Sequence, residues 1–458
     1  MTPDSLRALA KAAGRKNINT EPGIRALYHT DATQIQRFPQ AVVRAVDREQ
    51  VAAVLACCYH HELPLTPRGA GSGFTGGALA ARGGVVLDMS SMLGTEVMPD
   101  HRLLKTGPGV LIDEIKKAAA VHSLFYPPDP SSAAFATIGG AVAENAGGLR
   151  AVKYGVTGDY VLGLEAVLMD GRIIRTGGQT NKSVVGYDLT RLLVGSEGTL
   201  AVITSITLKL IPQPEAVSIL SAFFPSEQSA LQTVGYLHSQ PIVPTAMEFL
   251  DRRSLDAVRA LGKISIPPGA GSLLLLEVDG PPEAVPRQTE ELARILEGQG
   301  GFALKLAHER SQGEEIWKLR RGVSQAMHQL GSHKLNQDIA LPLGSMGAFM
   351  EILDEAAAGL GVKIAVFGHV GDGNLHVNIM YNGKDPEETR RSQRAVQEIF
   401  AHTLHLGGSV SGEHGVGVKK LAGARLELNE NALSMMWRIK DAFDPKGLLN
   451  PGKALPLL

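Results

Sequence analysis

Four side chains in the second half of the chain have the types and spacing to bind a cation or move a proton: His369, His376, Glu413 and His414. His369 and His376 flank Val-Gly-Asp-Gly-Asn-Leu, and an Asp-Gly pair inside an alternating strand pattern reads as a hairpin turn. Imidazoles on the two facing strands of such a hairpin could converge, although polar hairpin residues are also often simply solvated. Glu413 and His414 lie in Ser-Gly-Glu-His-Gly-Val-Gly, where flanking glycines leave little reason for two polar side chains to enter a core. Two histidines with a carboxylate form a common catalytic metal set that leaves positions open for substrate. The plainer reading is that these groups only hydrogen-bond one another.

The second candidate chemistry is anion binding by glycine-rich backbone. The chain has 52 glycines, densest in segments 68–84, 139–155, 177–198, 368–373 and 407–417. Such density costs backbone entropy and is usually kept where the chain turns tightly or approaches a ligand. Gly71-Ser72-Gly73-Phe74-Thr75-Gly76 fits G-x-G-x-x-G, but the dinucleotide fingerprint needs a helix directly after it. Only about eight residues separate Gly76 from the next apolar strand, too few for a helical crossover. A Rossmann unit is therefore not expected. Successive small residues still expose N–H groups that can form an anion nest, and Thr137–Gly148, TIGGAVAENAGG, repeats the pattern. Two such loops suit a large bis-phosphate ligand lying between them; the alternative is a pair of tight turns with no ligand.

The elements that must position these groups follow an α+β pattern. Strand, turn and helix are expected over 40–56, a strand in GGVVLDMS, and strand then helix over 104–124. Short β-rich pieces follow in VLGLEAVLMDG, RIIRTGG and TLAVITSITLKLIP, bounded by glycine turns. After Pro212 and Pro214 the glycines thin out, and strands alternate with helices, which places a domain boundary near 213–216. Helices are expected at 311–329, 344–360 and 385–406, with a strand in KLNQDIALP and the hairpin KIAVFGHVGDGNLHVNIMY. The N-terminus reads as a short amphipathic helix without a secretory pattern, and no apolar run is long enough for a spanning helix.

PRGAGSGFTGG, PPDP, IGGAVAENAGG, KYGVTGDYVLGLEAVLMDG, GYDLTRLLVGSEGTLAVIT and DPKGLLNPGK, in that order, resemble the vanillyl-alcohol-oxidase flavoprotein family. Within it, the chain is most similar to the branch of the glycolate oxidase FAD subunit, FAD-linked D-lactate dehydrogenase and D-2-hydroxyglutarate dehydrogenase. The resemblance covers nearly the whole chain. It implies a two-lobed FAD-binding domain with an antiparallel-sheet-plus-helices substrate domain, divided as 1–213, 214–424 and a returning segment 425–458. It implies FAD contacts from Arg68, Gly69, Ala70, Gly71, Ser72, Gly73 and Thr75, and from Pro128, Asp129, Thr137, Gly139, Gly140, Asn145, Gly147 and Gly148. Tyr154, Gly155, Glu197, Gly198, Ile203 and Asn450 complete that set. The first loop lacks the histidine that tethers FAD in some relatives, so non-covalent FAD is expected.

The resemblance also makes His369, His376 and Glu413 metal ligands and His414 the catalytic base. Zinc is the first choice on ligand type, with iron or manganese as alternatives. A 2-hydroxy acid could chelate such an ion through hydroxyl and carboxylate, and the ion would acidify the hydroxyl. Arg320 is the family-like carboxylate anchor, its guanidinium offering a bidentate match. Arg320 and Arg321 point about 100° apart on a helix, so only one should face the site; a solvated helix arginine is the competing reading. Lys334 resembles a further carboxylate-side residue. The spacing from Lys334 to Asp338 differs from that of the glutarate-specific members, which loosens the Lys334 correspondence, and Ser324 stands where those members have threonine, which favours a small monocarboxylate.

The activity so implied is FAD-dependent oxidation of a D-lactate or glycolate type acid to the 2-oxo acid. The alternatives are a D-2-hydroxyglutarate dehydrogenase, a non-catalytic flavin subunit, an aldonolactone or sugar oxidase, and a metal-dependent hydrolase. Cys57 and Cys58, the only cysteines, read as buried small hydrophobes rather than a redox pair. Two cysteines cannot hold an iron–sulfur cluster, which generally needs four. Electrons would therefore leave to a partner: an iron–sulfur subunit, an electron-transfer flavoprotein or a quinone. Homodimerisation is open to the chain. A net charge of −1 leaves no footprint for nucleic acid, and a cytoplasmic location, or a peripheral one on the inner membrane face, is expected.

Overall fold

The computed structural model describes residues 1–262 and 265–458. The chain divides into two compact units, one made of residues 1–147, 156–213 and 414–458, the other of 148–155 and 214–413.

The first unit contains a four-stranded sheet ordered Ile18–Asn19, Ala41–Arg44, Val85–Asp88, Leu65–Arg68. Its last three strands run parallel. Parallel strands are covered on both faces and so read as continuous apolar runs, which AVVR and VVLD do. Helices Pro3–Ala13 and Arg48–His60 contribute Leu9, Val51, Val54, Leu55 and Cys58 to the core shared with Val43, Val85 and Leu87. Burial there pushes the Cys58 thiol up. Strand Leu65–Arg68 is parallel to Val85–Asp88, yet residues 69–84 connect them without any helix. The glycine loop is thus a parallel crossover that dispenses with the helix of a Rossmann unit. A five-stranded antiparallel sheet, ordered Thr95–Met98, Leu103–Thr106, Val202–Lys209, Val161–Val167, Ile173–Gly177, completes the framework of this unit.

The second unit is built on a seven-stranded antiparallel sheet. Its order is Phe302–Ala307, Ala216–Phe224, Ser272–Gly280, Ala246–Leu250, Lys363–His369, Asn374–Tyr381, His333–Ala340. Side chains alternate between faces with period two. Phe249, Leu274, Leu276, Ile364, Val366, Val377 and Ile379 point to one face, where helices Glu227–His238, Val285–Gly298, Met346–Leu360 and Pro386–His405 supply the rest of the main core. Leu250, Leu273, Ala365, Phe367 and Met380 point to the other, against helices Arg252–Ala260 and Arg310–Ala326. That second face carries the polar residues considered next. Among the described residues no helix is long and apolar enough to cross a membrane.

Candidate functional site

The hairpin register explains how two histidines seven positions apart come together. His369 pairs with Asn374 and Phe367 with His376, so the histidines lie diagonally on one face of adjacent strands. Their ring centroids are 5.2 Å apart at 84°. Glu413 Oε1 lies 3.7 Å from His369 Nε2 and 3.6 Å from His376 Nε2. One ligand atom from each of the three residues falls within 4.8 Å of the others.

Glu413 reaches this point because a second carboxylate fixes its backbone. Asp338 is fully buried on strand His333–Ala340, and its Oδ2 accepts from Gly412 N at 3.2 Å and Glu413 N at 3.0 Å. Its Oδ1 accepts from Asn374 Nδ2 at 2.6 Å, tying the loop to the hairpin turn. Ser409 pairs antiparallel with Ala340, so the segment enters in register with the same strand.

His369 is oriented from behind by Glu248, which also accepts from Arg320 Nε. Glu248 is fully buried; burial opposes its charge, but Arg320 and His369 outweigh that and hold its carboxyl below the usual range. Burial likewise opposes a charge on His369, yet Glu248 and Glu413 drive its pKa well above the imidazole value. The cluster therefore draws a positive charge into itself. A divalent ion would displace that proton, with His369 ligating through Nε2 and keeping Nδ1–H on Glu248, the usual carboxylate–histidine arrangement. The donor set fits a metal of the kind the sequence implied.

Arg320 and Arg321 divide as helical geometry requires. Arg320 is turned inward onto Glu248, with its guanidinium 4.9 Å from the Phe367 ring centroid. Arg321 is exposed and pairs with Glu314. Lys334 Nζ donates to Ser324 Oγ at 3.1 Å, and burial lowers its pKa. Glu248, Asp338 and the triad thus form one connected polar cluster in the second unit. Sequence reading passed over Glu248. Its one signal is a carboxylate inside Ala246–Leu250, a strand buried at every position.

Several of the expected flavin residues of the first unit, Thr137, Gly198 and Asn450 among them, contact the glycine crossover or the strand leading into it, but many of their side chains face protein. Arg68 donates to Thr30 O at 2.9 Å and Ala78 O at 3.3 Å, so it braces the loop. A Cβ on Gly69 would come within 2.2 Å of Thr137 Oγ1, which brings the two glycine segments into contact. Thr137 caps helix Ile138–Glu144. Ala70 is exposed and Ser72 half-buried. A Cβ on Gly73 would meet nothing within 4 Å, and one on Gly140 only Thr137 Oγ1 at 3.4 Å. Backbone there is open to a ligand, the cradle a dinucleotide would need.

Thr75 is buried and its Oγ1 donates to His414 O at 3.1 Å, with the Phe74 ring 5.0 Å from the His414 ring. Asn145 adopts the left-handed conformation and accepts from Gly158 N at 2.8 Å. Asp129 pairs with Lys116. Asn450 Nδ2 donates to Glu197 O at 2.7 Å and Gly77 O at 3.1 Å. Glu197 accepts from Val416 N and Gly417 N. Gly139 packs on Pro108 and Gly198 on Pro67, while Pro128, Gly147 and Ile203 are buried. Gly148, Tyr154 and Gly155 belong to the second unit, where Tyr154 Oη donates to Asp279 at 2.9 Å.

Residues 39–177 match the FAD binding domain family, and residues 213–454 match the C-terminal domain of FAD linked oxidases. The chain is 38% identical to the glycolate oxidase subunit GlcD of Bacillus subtilis, over 99% of this chain and 97% of that one. It is 36% identical to a D-lactate dehydrogenase of Archaeoglobus fulgidus, covering 93% and 95%. The fold matches p-cresol methylhydroxylase with a TM-score of 0.82 at 16% identity, over 99% of this chain and 96% of that one.

Proposed function

The chain belongs to the FAD-linked oxidase family, with the vanillyl-alcohol-oxidase type of fold and the glycolate oxidase and D-lactate dehydrogenase branch as relatives, and on that premise we propose that it oxidises a small D-2-hydroxy acid to the 2-oxo acid. The observation that carries this reading is the His369, His376 and Glu413 triad, braced by Glu248 and Asp338. Substrates without a carboxylate give a chelating site nothing to clamp, which argues against a sugar or aldonolactone.

Bound FAD would supply the hydride acceptor, and a divalent ion held by the triad would supply Lewis acidity toward the substrate hydroxyl. The chain's own residues do the rest. Arg320 and Lys334 bind and orient the carboxylate, which restricts the acid to one approach. His414 takes the hydroxyl proton at an imidazole nitrogen, the general-base role. It follows Glu413 directly, so one peptide unit of about 3.8 Å between Cα atoms separates ligand from base. Ser324, which accepts from Lys334 at 3.1 Å, stands where glutarate-specific members have threonine, and that departure supports a monocarboxylate over a dicarboxylate.

The relatives named as glycolate oxidase subunits support a second element: electrons leave to a partner, either an iron–sulfur subunit, an electron-transfer flavoprotein or a quinone. An anaerobic screen of D- and L-2-hydroxy acids, following flavin absorbance, tests the reading. A small D-acid should bleach the flavin; His414→Asn and chelator-treated protein should keep the flavin spectrum and lose the bleaching. Full bleaching after removal of all metal would refute the chelation mechanism, and full bleaching by His414→Asn would refute the assignment of the base.

A further inference from the structure

The loop that carries His414 is held on its far side by a carboxylate whose geometry goes beyond a cofactor contact. Glu197 is buried and lies in the turn between helix Leu189–Leu193 and strand Val202–Lys209. It adopts a left-handed backbone with φ of +52°, and its own N–H donates to Ala143 O at 2.8 Å. Its Oε1 accepts from Val416 N at 2.8 Å and its Oε2 from Gly417 N at 2.7 Å. Two consecutive amides thus share one carboxylate, each in a short charge-assisted bond.

The glycine crossover of residues 69–84 completes the hold. Thr75 O accepts from Val418 N at 2.8 Å and Lys419 N at 3.2 Å, while Thr75 Oγ1 donates to His414 O. Close packing explains the glycines of the loop. A Cβ on Gly417 would lie 2.1 Å from Thr75 O. A Cβ on Gly415 would lie 2.4 Å from Glu144 Oε2 and 3.2 Å from Glu197 Oε1. The two carboxyl groups therefore lie within about 6 Å, the range in which like charges resist joint ionisation. Glu144 Oε2 is buried and has no hydrogen-bond partner among the described residues, whereas Glu197 has two amide donors. Burial, then the Glu197 charge, pushes the Glu144 carboxyl well up; burial raises Glu197 too, but there the Val416 and Gly417 amides, Lys453 and Lys420 work against it, so of the two Glu197 is the better placed to carry the charge. Lys453 is itself fixed by Leu79 O and Asn450 Oδ1.

We propose that Glu197 is the positioning residue for His414: by holding the Val416 and Gly417 amides together, its carboxylate sets the backbone from which the base projects. The proposal rests on the reading of His414 as the base. The amide of Glu197→Gln retains one acceptor and turns an NH2 toward the second backbone N–H, so one anchor is lost while volume is kept. A displacement of the order of 1 Å at a reacting group costs about 10²-fold in rate.

The test uses full-length, FAD-loaded protein and compares wild type, Glu197→Gln, His414→Ala and the double variant by anaerobic stopped-flow flavin reduction. Glu197→Gln should keep its flavin spectrum, reduce about 10- to 100-fold more slowly, and hold its apparent substrate affinity within about twofold. In the His414→Ala background the same change should add no further loss, because a residue acting only through the base has nothing left to position. Wild-type rates in Glu197→Gln with an inactive His414→Ala overturn the proposal alone, as does a multiplicative loss in the double variant. Wild-type rates in His414→Ala overturn the base assignment and this proposal with it. Glu197→Asp, which keeps the buried charge but is one methylene shorter, should show the same slowed, His414-dependent pattern and serves if Glu197→Gln does not fold.

Discussion

Removing the Glu248 carboxylate should weaken metal binding more than removing any exposed charge of the second unit. Its side chain is fully buried and serves two donors at once, His369 Nδ1 and Arg320 Nε. Glu248→Ala leaves both donors without their acceptor, and breaking a buried charge pair in this way costs about 3–5 kcal/mol. Glu248→Gln is the sharper probe, because it keeps the volume and one acceptor while removing the charge. Loss of a carboxylate behind a metal-ligating histidine typically lowers affinity about 10–100-fold, equivalent to about 1.4–2.7 kcal/mol. The assay is zinc titration of chelator-stripped, FAD-loaded protein, with bound metal counted after gel filtration. Glu248→Gln should bind zinc at least about tenfold more weakly while retaining its flavin spectrum. Zinc affinity equal to that of wild type would show that the triad is not oriented from behind, and the reasoning from Glu248 to His369 would fail.

Two further outcomes are expected. Lys334→Met should raise KM for the 2-hydroxy acid about tenfold, the value of one charge-assisted contact, with zinc affinity unchanged; an unaltered KM in steady-state assays would remove Lys334 from the substrate site. Burial, then nearby Glu227, pushes the Asp251 carboxyl up to about 7, although its Oδ1 caps Ser254 N at 2.7 Å and its Oδ2 accepts from Val366 N at 2.8 Å. The folded state then keeps a proton that the unfolded chain has released, so this contribution to stability is full below about pH 4 and declines by up to about 4 kcal/mol toward pH 7. Asp251→Asn should flatten that part of the denaturation curve against pH, and an undiminished slope would exclude Asp251 as its source.

Much of this arrangement was legible because it depends on local period. The Asp-Gly hairpin fixes the register that joins His369 to His376, and the helical angle between Arg320 and Arg321 decides which faces inward. The glycine crossover was legible as a non-Rossmann loop from its length, but that it links parallel strands was not, since pairing direction is a long-range property. Glu248 and the loop-holding role of Asp338 escaped for the same reason. A buried carboxylate is recognised by its donors, and those of Glu248 come from positions 320 and 369, far along the chain. Resemblance placed Glu197 at the cofactor, where composition gave no hint that its side chain faces residues 416 and 417.

The first unit's parallel sheet is closed by a segment made long after its strands. Leu65 N donates to Leu448 O at 2.9 Å and Asn450 N to Leu65 O at 2.7 Å, so the segment around Leu449 covers that edge of the parallel sheet. Synthesis proceeds at about 5–20 residues per second, and every residue of the second unit is made between the first unit's glycine loops and that closing segment. The second unit can therefore be complete while the sheet beside Arg68 still has an open edge, the kind of surface that recruits other chains. A chain stopped short of Leu448 would keep its histidine cluster intact and leave an uncovered edge beside the glycine loop, making aggregation rather than loss of that cluster its first fault.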